Sequence, residues 1–406
     1  MSGAWRLLVD DGVGAAEGLA LDEALMGRYA RGEPDCPPTL RLYSYRSHCA
    51  LVGRYQNLAA EVDLAACRRT GTQVSRRLTG GGAIVMGSGQ LGVAYVDRAP
   101  AGERPREIIE KLSAALAAGL AQLGIAATFR GKNDLEVGGR KIAGLGLYVD
   151  PADAMLFHAS VLGDLDVEFM LEVLRIPAAK LADRAAAAVT ERLTTVSAET
   201  GSRHGAEMLR PAIAGGFAVS FGVTLEPGVA DQTELEQADV LAAGRYRSQS
   251  WLSVRSVAED ASGSAVLKTP AGLARIYLTT HGDLVKSAMV AGDFNELPPA
   301  IVAMEAGLRW RRLTDDAIAA VVAGSGAADA LGVPVERIAS AVLEAGRQAG
   351  RSTAPEPARA AGPPEVPEPA RAAGPPEVPE PARSAGPPEV PEPARSAGPL
   401  EVPEPS

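Results

Sequence analysis

The segment GKNDLEVGGRKIAGLG, residues Gly131–Gly146, decides how the rest of the chain is interpreted. Asn133-Asp134 leads into a predicted strand, and the pair Gly138-Gly139 is typical of a hairpin turn. Lys141 then lies on the return strand, with Gly144 behind it. A lysine on a glycine-flanked strand either makes a structural ion pair or binds a phosphate or acyl carbonyl as a compact charge. The lysine alone does not decide between these two interpretations.

A second glycine-rich stretch, RRLTGGGAIV at Arg76–Val85, precedes it in the chain. Each of its three consecutive glycines costs ~1 kcal/mol relative to alanine, so the run needs a structural reason. One reason is a tight turn. The other is close approach of the backbone to a ligand, with Arg76 and Arg77 supplying charge for a phosphate or carboxylate. The spacing leaves both reasons open.

Helical and strand patterns alternate around these two stretches. Residues 14–32 have apolar side chains at helical spacing, and the pattern places Asp22 and Glu23 on the opposite, polar face. Residues 39–55 are typical of a pair of strands. Further predicted elements are a helix over 106–124, a hairpin around 281–283, and helices over 300–308 and 334–349, with a domain boundary near residue 260.

Composition narrows the classes of protein. The hydrophobic fraction is 46% and the charged fraction 22%, both ordinary for a globular protein. The net charge is -10, and the last 52 residues, with nine Glu and four Arg, carry half of it. No basic cluster is present, so we expect no nucleic-acid binding.

The last part of the chain repeats PEPARAAGPPEV every 12 residues from Pro355. Proline at this density, with almost no large apolar side chain, predicts an extended, disordered tail over residues 351–406. A solvated extension is the favoured interpretation. A docking role is the alternative.

The chain has three cysteines, Cys36, Cys49 and Cys67. Their number and spacing indicate neither disulfide bonds nor a zinc site, so we expect free thiols. The first residues lack the pattern of a signal peptide, and no window is long and apolar enough to cross a membrane. We therefore expect a cytoplasmic protein without membrane contact.

Several motifs in order resemble the lipoate–protein ligase family within the biotin/lipoate ligase superfamily. They are LDEAL (21–25), GRYQN (53–57), RRLTGGGA (76–83), NDL and GRKIAG (133–144), FHASVLGDLD (157–166), KLADRAAAAVTERLTTV (180–196) and RYRSQSWL (245–252). Any one of these motifs is weak evidence, but their order and spacing together are specific.

The resemblance implies a mixed α/β catalytic domain at 1–258, a small α+β accessory domain at 259–350 and the tail. It implies ATP-dependent activation of lipoate to lipoyl-AMP, with Mg²⁺, and transfer to a lysine of a lipoyl-domain protein such as a dehydrogenase E2 subunit or glycine-cleavage H protein. Lys141 matches the family's essential lysine, which would contact the acyl carbonyl and the α-phosphate. The residues that would bind lipoate or the nucleotide are Arg76, Arg77, Thr79, Gly80, Gly81, Gly82, Ala83, Asn133, Asp134, Gly144 and His158.

The motifs also depart from the family pattern. Met86 to Gln90 replace a His-Asp pair followed by Gly-Asn, and residues 143–146 are less polar than usual. His158 matches a family histidine, but a lone histidine beside a strand is more often a packing residue, so no general-base role is assigned to it.

Three alternatives stay open. An octanoyltransferase takes the acyl group from a carrier thioester without ATP, and most of these enzymes use a cysteine near the NDL or FHAS segments, where this chain has none. Biotin ligation is the second alternative, but this chain lacks the tryptophan-containing Asn-Asp motif that is typical of biotin ligases. A non-catalytic lipoate binder is the third alternative, and retention of Lys141 and both arginines weighs against it.

Overall fold

The computed structural model describes residues 3–33, 36–131, 133–175, 190–256 and 263–352. The predicted tail begins at residue 351, and its residues from 353 onward lie outside the described part of the chain. The predicted domain boundary near residue 260 also lies outside it. In the described part of the chain, no helix has the length and apolar character needed to cross a membrane.

Strands and helices alternate along the chain. The strands are β1 (Ala4–Val13), β2 (Thr39–Tyr45), β3 (Cys49–Val52), β4 (Gln73–Arg76), β5 (Ile84–Met86), β6 (Gln90–Arg98), β7 (Thr128–Arg130), β8 (Asp134–Val137), β9 (Arg140–Val149), β10 (Ala154–Leu162), β11 (Thr224–Pro227), β12 (Gly263–Thr269), β13 (Gly272–His281) and β14 (Leu284–Gly292). The helices are α1 (Ala15–Ala30), α2 (Leu58–Glu61), α3 (Leu64–Thr70), α4 (Pro105–Ala121), α5 (Val167–Val173), α6 (Val196–Thr200), α7 (Ala206–Phe221), α8 (Gln232–Leu241), α9 (Gln249–Leu252), α10 (Pro299–Leu308), α11 (Asp315–Ser325), α12 (Ala327–Leu331) and α13 (Val335–Ser352), and a π-helical turn covers Ala242–Tyr246.

The main sheet has eight strands in the order β11-β1-β2-β6-β10-β9-β8-β7. Strand β1 runs parallel to both β11 and β2, whereas the pairs from β2 to β7 are antiparallel. The central strand β10 is buried along its whole length, because helices cover both faces of the sheet. The mixed α/β fold expected from the sequence is confirmed.

Two apolar layers hold this sheet. On one face, α4 and α7 pack through Leu112, Leu116 and Phe217 against the sheet residues. On the other face, α1 packs through Leu19 and Leu25, together with the π-helical turn. Burial of each such side chain contributes about 1.5–3 kcal/mol, so these layers fix the position of the strands that carry the site.

A smaller sheet, β4-β3-β5, lies beside the main sheet and carries the glycine run between β4 and β5. A third sheet, the antiparallel β12-β13-β14, packs with α10 to α13 in its own apolar core. The domain limits of 1–258 and 259–350 stay a prediction.

Most predicted elements are present, with two corrections. Residues 39–55 do form two strands, but β2 pairs with β1 and β6 while β3 pairs with β4 and β5, so the two do not pair with each other. Asp22 is 0% exposed rather than on a solvated face. The hairpins at 134–149 and 272–292 are confirmed, the first with positive φ at Gly138 and Gly139.

Candidate active site

A narrow pocket lies where the glycine run meets β9 and β10. Its free volume is ≈ 50 Å³, far below the ~300–1,000 Å³ of typical ligand pockets, so a ligand of acyl-chain size requires it to widen. The apolar lining is Leu19, Tyr43, Tyr45, Leu51, Ile84, Met86, Leu145 and Ala159. The remaining lining residues are Arg77, Thr79, Gly80, Gly81, Gly82, Asn133, Lys141, Gly144, Gly146, His158 and Ser160.

Lys141 enters the pocket from the start of β9. Its Nζ forms an ion pair with Asp134 Oδ1 at 2.6 Å, across the hairpin that joins β8 and β9. The ammonium group lies against Gly144, since a Cβ added there would be 3.0 Å from Nζ and 3.2 Å from Ser160 Oγ. The lysine backbone is fixed by hydrogen bonds from its N–H to Arg192 O and from Thr194 N–H to its carbonyl. A positive charge is therefore held at one side of the pocket.

Arg77 supports the glycine run from within. Its Nη1 donates to the carbonyl of Leu51, and its Nη2 donates to the carbonyls of Gly80 and Gly82. Burial lowers the pKa of Arg77 to about 10, which leaves it charged at neutral pH. Arg77 lines the pocket as predicted, but these bonds direct its guanidinium at the backbone of the loop.

Arg76 does not line the pocket, and its binding of a nucleotide stays a prediction. Its guanidinium is fully buried and donates to five backbone carbonyls. The acceptors are those of Gly53, Arg54, Gln56, Trp251 and Leu252. Burial, with a smaller contribution from the charge of Arg77, lowers the pKa of Arg76 to about 10. Arg76 thus ties the GRYQN and RYRSQSWL segments to the glycine run.

A buried polar cluster lies beneath the pocket. Asp22 accepts hydrogen bonds from Arg41 Nη1 at 2.7 Å, from the Tyr43 hydroxyl at 3.1 Å and from His158 Nε2 at 2.9 Å. Burial alone would raise the pKa of Asp22, but the charge of Arg41 and the bond with His158 outweigh it and hold the pKa below its ordinary value. On its other side, His158 Nδ1 lies 3.4 Å from Thr79 Oγ1.

The structure thus brings most of the predicted site residues together. Asn133 lines the pocket, and its side-chain nitrogen would lie 3.4 Å from a Cβ added to Gly81. Asp134 reaches the site only through Lys141, and Ala83 packs instead against the core of the small sheet.

Sequence reasoning missed Asp22, Arg41 and Tyr43 as parts of the site. The LDEAL motif contained the one available indication, an acidic residue inside a family motif. Its helical pattern predicts only that Asp22 lies on the face opposite the apolar stripe.

No cysteine lines the pocket. Cys49 and Cys67 are buried, and burial raises the pKa of both thiols. Within the described ranges, no group of three or more His, Cys, Asp or Glu side chains is placed to bind a metal ion. The expected ATP and Mg²⁺ stay predictions.

Residues 14–218 match the family described as the lipoyl protein ligase A/B catalytic domain. Similar curated proteins are the octanoyltransferases LipM of Symbiobacterium thermophilum and Kyrpidia tusciae, each 32% identical over an alignment of 272 residues that covers 61% of this chain and 97% of the relative. Octanoyltransferase LipM of Bacillus subtilis is 26% identical over 273 residues, with 61% and 97% coverage.

Two solved structures are similar in fold. The bipartite lipoate protein ligase of Thermoplasma acidophilum superimposes with a TM-score of 0.56 at 26% identity, covering 63% of this chain and 97% of the other. LipL1 of P. falciparum, solved in complex with lipoate, has a TM-score of 0.59 at 17% identity, covering 78% and 93%. The second likeness concerns the fold alone.

Proposed function

Because this chain belongs to the lipoyl protein ligase A/B catalytic domain family, we propose that it is an acyltransferase of protein lipoylation. It moves an octanoyl or lipoyl group from a carrier thioester to a lysine side chain of a lipoyl-domain protein, without ATP. ATP-dependent ligation, which the sequence motifs favoured, becomes the second candidate.

The observation that carries the proposal is the position of Lys141 at the edge of an apolar pocket. Its ammonium group can donate to the oxygen of an acyl carbonyl and stabilise the negative charge that develops there when the carbonyl is attacked. Leu19, Leu51 and Met86 supply apolar surface for the hydrocarbon chain. Burial of such a chain contributes about 0.8 kcal/mol per CH₂ group, so each CH₂ group that the pocket covers strengthens binding of the acyl group.

The arginines argue for a thioester donor over a nucleotide. Arg76 and Arg77 were expected to hold phosphates, but their guanidinium groups bind backbone carbonyls. Arg77 and Lys141 are the arginine and lysine residues of the pocket lining, and the guanidinium of Arg77 is directed at the loop backbone. Curated relatives at 32% identity are named octanoyltransferases, which agrees with this donor.

The cysteines argue for direct transfer. None of the three lines the pocket, and burial disfavours the thiolate form of Cys49 and Cys67. The acceptor amine then attacks the thioester carbonyl itself: the C–N bond forms, the C–S bond breaks, and one proton passes from nitrogen to the departing sulfur. Lys141 stabilises the oxyanion in this single transfer.

The acceptor is proposed to be a lipoyl domain. One similar structure pairs an archaeal lipoate protein ligase with its E2 lipoyl domain, and this chain shares 26% identity with that ligase. An E2 subunit or a glycine-cleavage H protein presents a lysine of this kind, and we propose both classes as acceptors.

One observation favours the second candidate, ATP-dependent lipoate ligation. An acyl-adenylate is already activated, so its transfer needs no cysteine nucleophile, and no cysteine lines this pocket. Asn133, Asp134 and Lys141 are the residues that would face the nucleotide in that reaction.

A transfer assay with two kinds of donor tests the proposal. The purified full-length protein is incubated with a lipoyl domain and either octanoyl-carrier-protein thioester, or octanoate or lipoate with ATP and Mg²⁺, and the acceptor is weighed by mass spectrometry. We expect octanoylation from the thioester without ATP. Acylation only in the presence of ATP would establish the ligase, and none with either donor would refute both.

Lys141→Ala and Arg140→Ala form the matched pair for this assay. Arg140 is adjacent in sequence but pairs with Glu199 at 2.7 Å, outside the pocket. We expect Lys141→Ala to lower the transfer rate about 10²–10³-fold, the usual effect of losing one oxyanion donor, and Arg140→Ala to leave it unchanged. Equal losses in both variants would contradict the assigned role of Lys141.

A further inference from the structure

The contact between His158 and Asp22 lies beside Lys141 in the pocket and takes no part in stabilising the oxyanion. We propose that His158 is the proton carrier of the acyl transfer and that Asp22 is the residue that positions it. The inference rests on the proposed function, because it requires an amine acceptor and an acyl donor in the pocket.

Asp22 fixes which nitrogen of His158 carries the proton. The carboxylate is 0% exposed and is ionised, because Arg41 faces it at 2.7 Å. A carboxylate only accepts hydrogen bonds, so the ring nitrogen 2.9 Å away, Nε2, must be the donor. In the neutral imidazole the lone pair is then on Nδ1, as in other histidines oriented by a carboxylate.

The other ring nitrogen, Nδ1, accepts a long hydrogen bond from the Thr79 hydroxyl on the pocket side. Nδ1 lies 3.4 Å from Thr79 Oγ1, and both residues are part of the pocket lining. His158 itself is 8% exposed. A proton accepted at Nδ1 therefore comes from the pocket and not from bulk solvent.

The strand register places this nitrogen beside the proposed oxyanion site. On β10, His158 lies opposite Gly146 and Ser160 lies opposite Gly144, so both side chains project from the same face of the sheet. Lys141 Nζ lies over Gly144, one step of about 7 Å along the strand from His158. We infer that, when Lys141 binds the carbonyl oxygen of the acyl group, the amine nitrogen of the acceptor lysine approaches the carbonyl carbon from the side of His158.

The proton balance is complete. The amine of the acceptor lysine attacks the thioester carbonyl, and His158 Nδ1 takes the proton that nitrogen loses as the C–N bond forms. The resulting imidazolium is stabilised by Asp22 and gives this proton to the thiolate sulfur as the C–S bond breaks. The ring returns to its starting form, and no other reactant is consumed.

Other titratable groups lie around His158. Asp22 from α1 contacts the ring directly, Arg41 and Tyr43 from β2 contact Asp22, and Arg77 and Lys141 line the same pocket as the ring. Arginine and lysine do not ordinarily accept a proton near neutral pH, and burial raises the pKa of Tyr43 far above its ordinary value. Histidine is the side chain suited to move a proton in this set.

His158→Gln tests the inference with little risk to folding. The amide nitrogen of glutamine can reach the position of Nε2 and keep a donor to Asp22, while the basic nitrogen is lost. Octanoyl transfer from a carrier-protein thioester is measured with two acceptors, the lipoyl-domain lysine and hydroxylamine. Hydroxylamine is a stronger nucleophile of low basicity and needs much less help from a base.

We expect His158→Gln to lower kcat with the lysine acceptor about 10²–10⁴-fold, with KM little changed, and to lower the enzymatic rate with hydroxylamine less than about 10-fold. His281→Gln, at an exposed histidine of β13, should match the wild type with both acceptors. Equal losses with the two acceptors, or no loss, would overturn the proton-carrier role. A wild-type protein that transfers to neither acceptor would instead refute the proposed function.

Discussion

The backbone N–H of Gly81 donates a hydrogen bond to the carbonyl oxygen of Phe294, with 2.9 Å between nitrogen and oxygen. A Cβ added to the preceding Gly80 would overlap the carbonyl oxygens of Phe294 and Asn295 and lie 2.6 Å from Asn295 Cα. The segment after β14 therefore packs directly on the glycine run. At Gly80 the missing side chain makes room for protein backbone, whereas a Cβ on Gly82 would meet no atom within 4 Å.

These two glycines predict opposite effects of the same substitution. Gly80→Ala should destabilise the fold by about 1–3 kcal/mol, because backbone atoms must move. Gly82→Ala should change the free energy of unfolding by less than about 1 kcal/mol, because its methyl group meets no atom, but lower acyl transfer, because Gly82 lines the pocket. Urea unfolding and the transfer assay check both. Equal destabilisation by the two substitutions would contradict the assignment.

A methyl group at Gly144 is predicted to act through Lys141. It would lie 3.0 Å from Nζ, the flexible end of the lysine, so the side chain moves at little cost to the fold. We expect Gly144→Ala to lower the transfer rate at least about 10-fold with stability nearly unchanged.

A double-mutant cycle separates this effect from a general disturbance of β9. In a Lys141→Ala background, Gly144→Ala should cause little further loss of rate. Additive losses would show that the methyl group acts independently of the lysine.

The buried guanidinium of Arg76 predicts a stability effect that a ligand-binding arginine would not show. Arg76→Lys keeps the positive charge, but a lysine ammonium group cannot donate to all five carbonyls that surround the planar guanidinium group of Arg76. We expect a loss of at least about 3 kcal/mol in the free energy of unfolding, since buried acceptors are left without donors.

Arg69→Lys is the control for this substitution. Arg69 is exposed and pairs with Glu172 at 3.1 Å, so its replacement should change stability by less than about 1 kcal/mol. A stable Arg76→Lys protein that has lost only activity would restore the ligand-binding role.

The parts of the site that could be predicted are those set by local sequence. Lys141 and Asp134 lie in one hairpin, and the glycine pair between their strands indicates the turn, so their meeting follows from short-range pattern. The contact of Asp22 with His158 spans 136 positions. Helical periodicity predicts only that Asp22 lies outside the apolar stripe of α1. The side chains that bury Asp22 come from β2 and β10, so its burial depends on the positions of these strands in the sheet.

The role of Arg76 shows the same limit. The local sequence of an arginine beside a glycine run is the same whether its side chain binds a phosphate or five backbone carbonyls. Two of those carbonyls belong to Trp251 and Leu252, 175 and 176 positions away. Only tertiary structure brings them within reach, so the sequence marks the residue as unusual but does not identify these carbonyls as its partners.

Asp22 predicts how stability depends on pH. Its pKa is held below the ordinary value by Arg41 and His158 against the cost of burial. Its ion pair therefore contributes fully above the ordinary value of about 3.9, and this contribution is lost as the pH falls through the lowered pKa. Asp22→Asn removes one of the two counter-charges of the buried Arg41 and leaves its ion pair with Asp10, so at pH 7 it should cost about 1.5–3 kcal/mol.

The difference in unfolding free energy between the wild type and Asp22→Asn should then shrink as the pH falls from 5 towards 2, because protonation removes the charge of the wild-type carboxylate as well. Urea unfolding across this range measures it, with Asp316→Asn at an exposed position of α11 as the control. The control should show a small difference at every pH. A large difference for Asp22→Asn that persists undiminished at the acid limit would mean that the cluster is stabilised by something other than the ionised carboxylate.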